Sequence, residues 1–518
     1  MTRNNHWLFT VALLCVLVST CACGGDKPEP EPEFKRYHSG LAIQSNLINP
    51  KIQVTVSYDI MLPADYMENP ERRYPVVYLL HGYGDNQSSW NGTYMQGESK
   101  IVAVEKQKDL EPMIYVCPNG FKTYYCNFYD GSYNYMDMFV NELVPHIDAT
   151  YRTIADRNHR ALIGYSMGGF GAMVLPMKHP EVFSVSVPLS MSFRTDQQYK
   201  TESQDGWNNQ WGKIFGGVGQ SGEGRITEYY KQHCPLYQFV PENKATLSTV
   251  HWFLTCGDNE EQLLVANDAL HQLMMDNGYA HEYRVGDGGH SSSYWRPALD
   301  EVLPYIQHCF AGGGEWKYSS VTYKTQTLSF ESDGAFLSKG FKDAGSQDGT
   351  AIYLAYNGLS QDLVTKAISV LQGGREAKKY AILPCNLQEK TLVEWVLSYE
   401  AKYKVGGSAA KRCVVALGEA GRQAYSLQNE FGSLYFESAV LTDDPASITP
   451  VKGKFYYMGQ NDEGAYYKQI GALYKACRLT YSSKDELSMF EYRCRNYTGD
   501  AETDLLQGMQ QMVSCMKY

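Results

Sequence analysis

The chain has 518 residues, and its 57 acidic residues outnumber its 46 lysines and arginines, which gives a formal net charge of −11. Hydrophobic residues make up 43% and charged residues 20% of the sequence, a balance typical of folded globular proteins, so extensive disorder is excluded. The acidic balance argues against general nucleic-acid binding, which needs a basic surface, and the length predicts about two to four domains.

The N-terminal residues have the pattern of an export signal followed by a tether. Arg3 precedes the apolar run Trp7–Val18, which is shorter than a bilayer span and resembles a signal-peptide core. Small residues lead to Cys23, and a Pro/Glu-rich stretch follows it, as in bacterial lipoprotein signals. We expect residues 1–22 to be a lipoprotein signal peptide, Cys23 to be lipid-modified, and residues 23–33 to form an extended tether.

This N-terminus predicts an exported protein that a lipid holds to a bacterial membrane, preferably the outer one, on its periplasmic or cell-surface face. Cys21 is the weaker lipidation candidate because Thr20 precedes it, and an ordinary cleaved signal with incidental cysteines is the alternative. The other cysteines form no CxxC pair and have no cysteine–histidine spacing for zinc, so we expect no metal site.

Short apolar runs alternate with helical patterns between Phe34 and Phe310. The runs lie at Tyr74–Leu80, Met113–Cys117, Arg160–Gly164 and Val250–Thr255, and the helical patterns include Met136–Tyr151 and Leu263–Asn277. Buried strands alternating with helices predict an α/β fold with a mostly parallel sheet. The polar, glycine-rich stretch Met191–Glu242 is interpreted as an insertion that caps the active site.

The segment Gly164-Tyr-Ser-Met-Gly168 follows an apolar strand and precedes a helical pattern. A bare G-x-S-x-G sequence occurs often by chance, but in this setting it is typical of a strained strand-to-helix turn. Such a turn lifts the serine hydroxyl toward solvent, and the helix N-terminus behind it favours developing negative charge. The pattern predicts Ser166 as a nucleophile.

A serine hydroxyl needs a base that takes its proton. The segment Arg284–His290 ends in a histidine on a glycine-rich loop after an apparent strand, so we expect His290 to be this base. The acid that orients it should follow the preceding strand, on the loop Cys256–Glu261. The candidate acids on that loop are Asp258, Glu260 and Glu261.

An acyl-transfer site also needs two backbone N–H donors for the oxyanion. Met167, the residue after the nucleophile, is expected to supply one. Tyr83, on the loop His81–Asp85 after an early strand, is expected to supply the other. The alternative is that Gly82 and Gly84 only mark a turn.

With these pieces in place, residues 34–310 resemble the esterase-D-like family of α/β-hydrolases, known in carbohydrate enzymology as carbohydrate esterase family 1. The matching segments are Tyr78–Gly82 with Trp90, Phe139–Ile147 with Tyr151–Thr153, Gly164–Gly169, Cys256-Gly257, and Gly288–His290 with Tyr294–Arg296. The resemblance implies a catalytic domain with an α/β-hydrolase fold, ester hydrolysis through an acyl-enzyme, and no metal or organic cofactor. The family includes feruloyl and acetylxylan esterases, which implies a polysaccharide or oligosaccharide ester from plant xylan as substrate.

Two positions depart from the family pattern. Ser292 stands two residues after His290, where the family commonly has Trp, and Glu260 stands where the family acid is usually Asp. The substrate is therefore left open between feruloyl or acetyl xylan and another ester such as a siderophore. A glycan-binding lipoprotein with a vestigial triad is the non-enzymatic alternative.

Residues 316–518 look like a shortened copy of the first domain, joined to it by a glycine hinge at residues 311–315. The matched segments, second copy first, are Ile352–Asn357 with Val77–Gly82, Tyr380–Asn386 with Met113–Asn119, Val414–Gly421 with Arg160–Met167, Phe455–Glu463 with Phe253–Glu261, and Phe490–Arg493 with His281–Arg284. An unrelated β-rich carbohydrate-binding module is the alternative.

This copy lacks the chemistry of the first. The matching places Ala420 at the position of Ser166, Gly499 at that of His290 and Asn357 at that of Gly82. A copy without nucleophile or base cannot carry out acyl transfer, so stabilising the first domain, shaping the cleft or binding glycan are its expected roles.

The same matching bears on the acid. Alignment of the two strand-end glycines pairs Glu260 with Asp462 and Asp258 with Gln460. A carboxylate then stands at the third position in both copies, which favours Glu260, with Asp258 as the alternative acid.

Overall fold

The computed structural model describes residues 35–316, 327–344, 349–461, 466–480, 489–495 and 500–516. The chain divides into two units, Met1–Lys35 and Arg36–Tyr518, and the structure below belongs to the second. The predicted signal peptide, Cys23 and the tether lie outside the described residues. Among the helices that are described, none combines the length and the apolar character needed to cross a bilayer.

The described strands join one sheet in the order β1-β2-β4-β3-β5-β6-β7-β8-β15-β14-β13-β12-β10-β11-β9. They are β1 Tyr37–Ser45, β2 Val54–Met61, β3 Val76–Leu80, β4 Ile114–Pro118, β5 Arg160–Tyr165, β6 Val185–Leu189, β7 His251–Gly257, β8 Glu282–Gly286, β9 Phe336–Leu337, β10 Thr350–Tyr356, β11 Tyr380–Asn386, β12 Arg412–Leu417, β13 Ser433–Glu437, β14 Phe455–Asn461 and β15 Phe490–Arg495.

Helices connect most of these strands. They are α1 Gly97–Lys108, α2 Tyr135–Met138, α3 Val144–Thr150, α4 Met167–Lys178, α5 Asp196–Thr201, α6 Gln204–Gly206, α7 Gly212–Phe215, α8 Glu228–His233, α9 Pro235–Gln238, α10 Lys244–Leu247, α11 Glu261–Asp276, α12 Ser292–Phe310, α13 Lys339–Asp343, α14 Gln361–Gln372, α15 Leu392–Tyr403, α16 Ala420–Ser426, α17 Tyr467–Thr480 and α18 Ala501–Cys515. Short π turns lie at Phe139–Leu143 and Trp207–Trp211, and 3-10 turns lie at Arg157–His159, Gly222–Arg225, Pro241–Asn243, Ala409–Lys411, Gln428–Glu430 and Pro445–Ser447.

The first half of the sheet is parallel from β4 to β8, with β1 and β2 antiparallel at its edge. Strands β3, β4, β5 and β6 are buried along their whole length, as continuous apolar runs in a helix-covered parallel sheet should be. Helices α1 and α12 pack together over one core, which contains Trp90, Ile101, Trp295 and Leu299. The predicted α/β fold with a mostly parallel sheet is confirmed.

The second half of the sheet repeats this topology. Its order β9-β11-β10-β12-β13-β14-β15 follows β2-β4-β3-β5-β6-β7-β8 strand for strand, including one antiparallel edge strand. Helices α14 and α18 pack together as α1 and α12 do. Each of the matched sequence segments falls on the topologically equivalent strand, so the second half is built as a copy of the first.

The two copies meet where β8 and β15 pair antiparallel, with Val285 opposite Cys494. This pairing covers two sheet edges that would otherwise expose unpaired backbone groups. The predicted glycine hinge at residues 311–315 follows α12 directly, yet the copies on either side of it belong to one compact unit. They are therefore two repeats of a shared sheet rather than two bodies on a hinge.

The residue equivalent to Ser166 in the second repeat is Gly418, and the predicted equivalence with Ala420 is wrong by two positions. The Ser166 N–H donates to the carbonyl of Leu189 at 3.0 Å, and the Gly418 N–H donates to that of Glu437 at 2.9 Å. Both residues have a left-handed φ, 58° and 55°. Glycine adopts that conformation without strain once no hydroxyl is needed there.

The predicted matching of β14 with β7, the strand before the candidate acids, is also shifted by two residues. Ser190 and Ser438 both have a left-handed φ, 48° and 52°, and they donate to the carbonyls of Thr255 and Gly459. Gly459 therefore corresponds to Thr255 rather than Gly257. A slip of two preserves the alternation of side chains along a strand, so the sequence pattern does not reveal it.

The pairing of Glu260 with Asp462 consequently rests on a shifted register. Asp462 and Gly499 themselves lie outside the described residues. The matched segments therefore do not favour Glu260 over Asp258 as the acid, and only the contacts within the first repeat distinguish these two residues.

Buried histidines make this fold sensitive to acid. Burial lowers the pKa of His233 to about 4, although its Nδ1–H donates to the Tyr229 carbonyl at 2.8 Å. Burial also lowers the pKa of His271, which is fully enclosed and contacts His281 at 2.8 Å. In the unfolded chain a histidine titrates near 6.5, so the unfolded state binds protons that the native state excludes.

We expect the free energy of unfolding to be unaffected by His233 above about pH 6.5 and to fall below it. The loss should approach about 1.4 kcal/mol per pH unit for this histidine until the pH nears 4. Urea unfolding at pH 7, 6 and 5 measures the slope. His233→Asn, which can keep a donor for Tyr229, should give a shallower slope than wild type, and equal slopes would contradict the assignment.

Candidate active site

Ser166 occupies the turn between β5 and α4, at the carboxyl edge of the parallel strands. Its backbone has φ 58° and ψ −118°, a strained conformation at a strand-to-helix turn. The flanking glycines are required by space: a Cβ on Gly164 would lie 2.0 Å from the Gly168 carbonyl oxygen, and one on Gly168 would lie 2.1 Å from that of Leu80. The turn therefore has the geometry of a nucleophile elbow.

His290 and Glu260 complete a hydrogen-bonded row with this serine. The Ser166 hydroxyl lies 2.8 Å from His290 Nε2, and His290 Nδ1 lies 2.7 Å from Glu260 Oε2. With Nδ1 protonated, Nε2 is free to accept the serine proton. The Glu260 side chain is fully buried, whereas that of His290 is 38% exposed, so the imidazole is accessible to solvent while its carboxylate partner is shielded.

Three donors hold the buried Glu260 carboxylate. The backbone N–H of Gly257 donates to Oε1 at 2.9 Å, the Ser190 hydroxyl donates to the same oxygen, and His290 binds the other oxygen. The indole N–H of Trp295 donates to the Ser190 hydroxyl at 2.7 Å. A buried carboxylate needs such partners, because water cannot solvate it there.

Ser190 was not anticipated from the sequence. It lies at the end of β6, where no motif marks it, and only the fold brings it against the loop after β7. Trp295 belongs to a segment that carries the family resemblance, but its contact with Ser190 becomes visible only in the structure. Its ring also stands edge-on to the His290 ring, with centroids 4.9 Å apart.

Asp258, the alternative acid, does not contact His290. Its carboxylate accepts from Arg493 at 2.6 Å, from the Gly288 N–H at 3.2 Å and from the Tyr492 N–H at 3.2 Å. Within the described residues it forms one group with metal-ligand spacing, together with Asp287 and Glu491. Arg493 contacts two of these three carboxylates and supplies the positive charge there.

The two predicted oxyanion donors stand on adjoining pieces of backbone. Met167 is the first residue of α4, and Tyr83 lies in the loop after β3. Close approach of Gly168 to the Leu80 carbonyl brings that loop against the start of the helix. Both residues follow parallel strands and therefore lie at the carboxyl edge of the sheet.

His81 fixes the loop that carries Tyr83. Its Nδ1–H donates to the Gly82 carbonyl at 2.8 Å, and its Nε2 accepts from the Gly120 N–H at 2.8 Å. Burial lowers the pKa of His81, which keeps the ring neutral and maintains this pair of bonds near neutral pH. The sequence motif contains His81, but it does not predict that His81 joins the loop after β3 to the loop after β4 by hydrogen bonds.

Two exposed tyrosines belong to, or contact, the loops that carry the site residues. Tyr83 and Tyr94 are 41% and 49% exposed, and the Tyr94 hydroxyl accepts from the Ser292 N–H at 3.1 Å. The Tyr83 ring lies 6.0 Å from that of Tyr124, which lies 4.4 Å from that of Trp211. Trp211 belongs to the insertion at Met191–Glu242, so the insertion packs against Tyr124, which in turn lies next to Tyr83.

Comparison with known families agrees with this geometry. Residues 45–306, which make up half of the chain, match the model of the Esterase family. The protein belongs to this family.

This Esterase-family chain is 31% identical over 257 residues to the endo-1,4-β-xylanase/feruloyl esterase of Xylanibacter ruminicola, covering 47% of this chain and 28% of that protein. It is 28% identical over 309 residues to an esterase of Mycobacterium tuberculosis, covering 55% and 62%. A solved ferulic acid esterase structure matches with 27% identity and a TM-score of 0.44, covering 53% of this chain and 99% of that one. The chain thus spans less than two thirds of these two curated relatives.

We expect Ser190→Ala to lower the reactivity of Ser166 toward a fluorophosphonate probe by about tenfold or more. The buried Glu260 carboxylate would lose a donor, and its hold on His290 would loosen. The second-order labelling rate at Ser166 is the measurement. Ser186→Ala is the matched control, because Ser186 is also buried near β6 but donates to the Ala172 carbonyl, away from the row. Equal labelling rates in the two variants would contradict a role for Ser190 in holding the acid.

Proposed function

We propose that this protein is a serine carboxylic-ester hydrolase that uses Ser166, His290 and Glu260. The observation that carries the proposal is the continuous row of hydrogen bonds, 2.8 Å and 2.7 Å long, that joins these three side chains. Such a row activates a hydroxyl, because the imidazole accepts its proton while the carboxylate stabilises the imidazolium.

The reaction proceeds through an acyl-enzyme. Ser166 Oγ attacks the ester carbonyl as its proton moves to His290 Nε2, and the tetrahedral intermediate collapses when His290 returns that proton to the leaving alcohol. A water molecule then attacks the acyl-enzyme with His290 again as base. The products are a free carboxylic acid and the regenerated serine.

Backbone donors stabilise the oxyanion in both steps. The proposed donors are the N–H groups of Met167 and Tyr83, two residues that follow parallel strands at the carboxyl edge of the sheet. The dipole of α4, whose first residue is Met167, adds a favourable potential for negative charge at the same place. None of these steps requires a metal or an organic cofactor.

The proposed substrate is a feruloyl or acetyl ester on plant cell-wall xylan. The curated relative with 31% identity over 257 residues is named an endo-1,4-β-xylanase/feruloyl esterase. Tyr83, on the loop proposed to supply an oxyanion donor, and Tyr94 are both exposed, and aromatic faces bind an aromatic acyl group or a sugar ring by stacking. We further propose, from the sequence around Cys23, that a lipid anchors the exported protein to a bacterial membrane.

Ser166→Ala should abolish release of ferulate from feruloylated arabino-oligosaccharide, with a loss of at least about 10⁴-fold in kcat, because no other group can form the acyl-enzyme. Ferulate release is followed by chromatography, with Ser186→Ala as the control that keeps its activity. Acetylated xylan fragments and siderophore esters are assayed in parallel. Release of acetate alone, or cleavage of the siderophore ester alone, would refute the feruloyl assignment, and unchanged ferulate release in Ser166→Ala would refute the mechanism.

Glu260→Gln tests the identity of the acid. A neutral amide cannot stabilise the imidazolium and disturbs the tautomer of His290, so kcat should fall by about 10³- to 10⁴-fold. Glu282→Gln is the matched control, because Glu282 is also buried but pairs with Arg284 at 3.0 Å on β8. Steady-state kinetics on an aryl ester compares the two. A Glu260→Gln enzyme within tenfold of wild type would exclude Glu260 as the acid.

A further inference from the structure

Among the described residues, the second repeat makes four hydrogen bonds to one residue of the first, Asp258. Arg493 donates to its carboxylate at 2.6 Å, and the Tyr492 N–H donates to the same oxygen at 3.2 Å. Arg478 and the Tyr474 hydroxyl donate to its backbone carbonyl at 2.6 Å and 3.1 Å. Both the side chain and the backbone of Asp258 are therefore held from across the β8–β15 junction.

Asp258 also ties together the two loops that carry the acid and the base. Its other carboxylate oxygen accepts from the Gly288 N–H at 3.2 Å, and the Asn259 N–H donates to the Gly288 carbonyl at 2.9 Å. Glu260 lies two residues beyond Asp258, and His290 lies two residues beyond Gly288. A displacement of Asp258 would therefore move both partners of the Glu260–His290 bond.

The charges around Asp258 make Arg493 hard to replace. The side chains of Asp258 and Arg493 are 1% and 6% exposed, and Arg493 also binds Glu491 at 2.9 Å. Asp287 is the third carboxylate of this group. Without the guanidinium, the buried Asp258 carboxylate would face the half-buried Glu491 and the exposed Asp287 with no positive partner, and the carboxylates would repel. Burial and the nearby Asp258 already raise the pKa of Glu491, as such crowding should.

The loops have little stiffness of their own. Gly286 ends β8, the segment after it contains Gly288 and Gly289, and Gly288 has φ 151°, which few other residues adopt. His290 at the end of this segment is 38% exposed, so packing holds it on one side only. A row of side chains that must stay within a few tenths of an ångström needs an external support when its loops are this permissive.

We propose that the second repeat is a positioning module for the catalytic row, and that Arg493, assisted by Arg478 and Tyr474, holds Asp258 so that Glu260 and His290 keep their spacing to Ser166. This inference rests on the proposed function, since it assigns a task within that site. None of the three residues touches the reacting atoms, so they are positioning residues rather than catalytic ones. The repeat keeps this task although glycine stands at its own nucleophile position.

Arg493→Gln, Arg493→Lys and Arg412→Gln form the test set in the full-length protein. Arg412 is the matched control: it lies in the second repeat, is 14% exposed and pairs with Glu400 at 2.7 Å, away from the first repeat. The measurements are kcat and KM on an aryl acetate, the rate of fluorophosphonate labelling at Ser166, and circular dichroism for folding.

We expect Arg493→Gln to lower kcat and the labelling rate by about tenfold or more while KM stays within about twofold, because alignment is lost and binding is not. Arg493→Lys, which restores the charge, should recover part of kcat, and Arg412→Gln should match wild type. A folded Arg493→Gln enzyme with wild-type kcat overturns the proposal. An equal fall in Arg412→Gln also overturns it, because the effect would then be general destabilisation of the repeat.

If Arg493→Gln does not fold, Arg478→Gln decides, since Arg478 donates to the carbonyl of Asp258 and to the Tyr474 hydroxyl. A fall in kcat at constant KM supports the positioning role, and wild-type kcat overturns it. Failure of the proposed function looks different: the wild-type protein would cleave no ester and Ser166 would not react with the probe. If the wild-type protein cleaves esters and the Arg493 and Arg478 variants have wild-type kcat, the positioning role is refuted while the proposed function stands.

Discussion

Parallel pairing of buried strands is the constraint on which this site depends. Because β3, β5, β6, β7 and β8 run in the same direction, their carboxyl ends and the loops that follow them meet along one edge. Ser166 follows β5, Ser190 follows β6, Glu260 follows β7 and His290 follows β8, and hydrogen bonds join these four side chains. No two of these residues are close in sequence, and the sheet alone makes them neighbours.

Two carboxylates stand two residues apart on one loop and have different tasks because their partners differ. Glu260 is enclosed by the Gly257 N–H, the Ser190 hydroxyl and His290, so its charge is directed at the imidazole. Asp258 points to the junction of the repeats, where the Arg493 guanidinium balances it. Burial imposes this division, since a carboxylate removed from water must find donors, and each position offers only one set.

The second repeat has the fold of the first repeat but no serine at the position of the nucleophile. Its strand order is that of the first repeat, and Gly418 retains the left-handed turn where the first repeat has Ser166. The topology survives because buried strands and packed helices depend on apolar pattern, whereas the nucleophile depends on one hydroxyl. What the copy contributes lies at its edge, where β15 and α17 reach the loop of the acid.

The sequence by itself predicted the α/β class, which the structure confirms, and the serine and histidine that the structure joins by a hydrogen bond. These follow from local constraints: buried strands need continuous apolar runs, the turn around Ser166 needs flanking glycines, and His290 follows a glycine-rich loop. The sequence also revealed the repeat, but the matching was shifted by two residues on β12 and β14. A shift of two is hard to detect because side chains alternate along a strand with a period of two. Local pattern is informative wherever a few consecutive residues must satisfy the constraint together.

Only the tertiary structure decided between Glu260 and Asp258, introduced Ser190, and replaced Ala420 by Gly418 as the counterpart of Ser166. The acid is chosen by contacts with residues far along the chain: Asp258 pairs with Arg493, 235 positions away, and Glu260 receives Ser190, 70 positions away. Such choices depend on which donors surround each buried carboxylate. No stretch of neighbouring residues carries that information, because the sheet brings the donors together from separate strands.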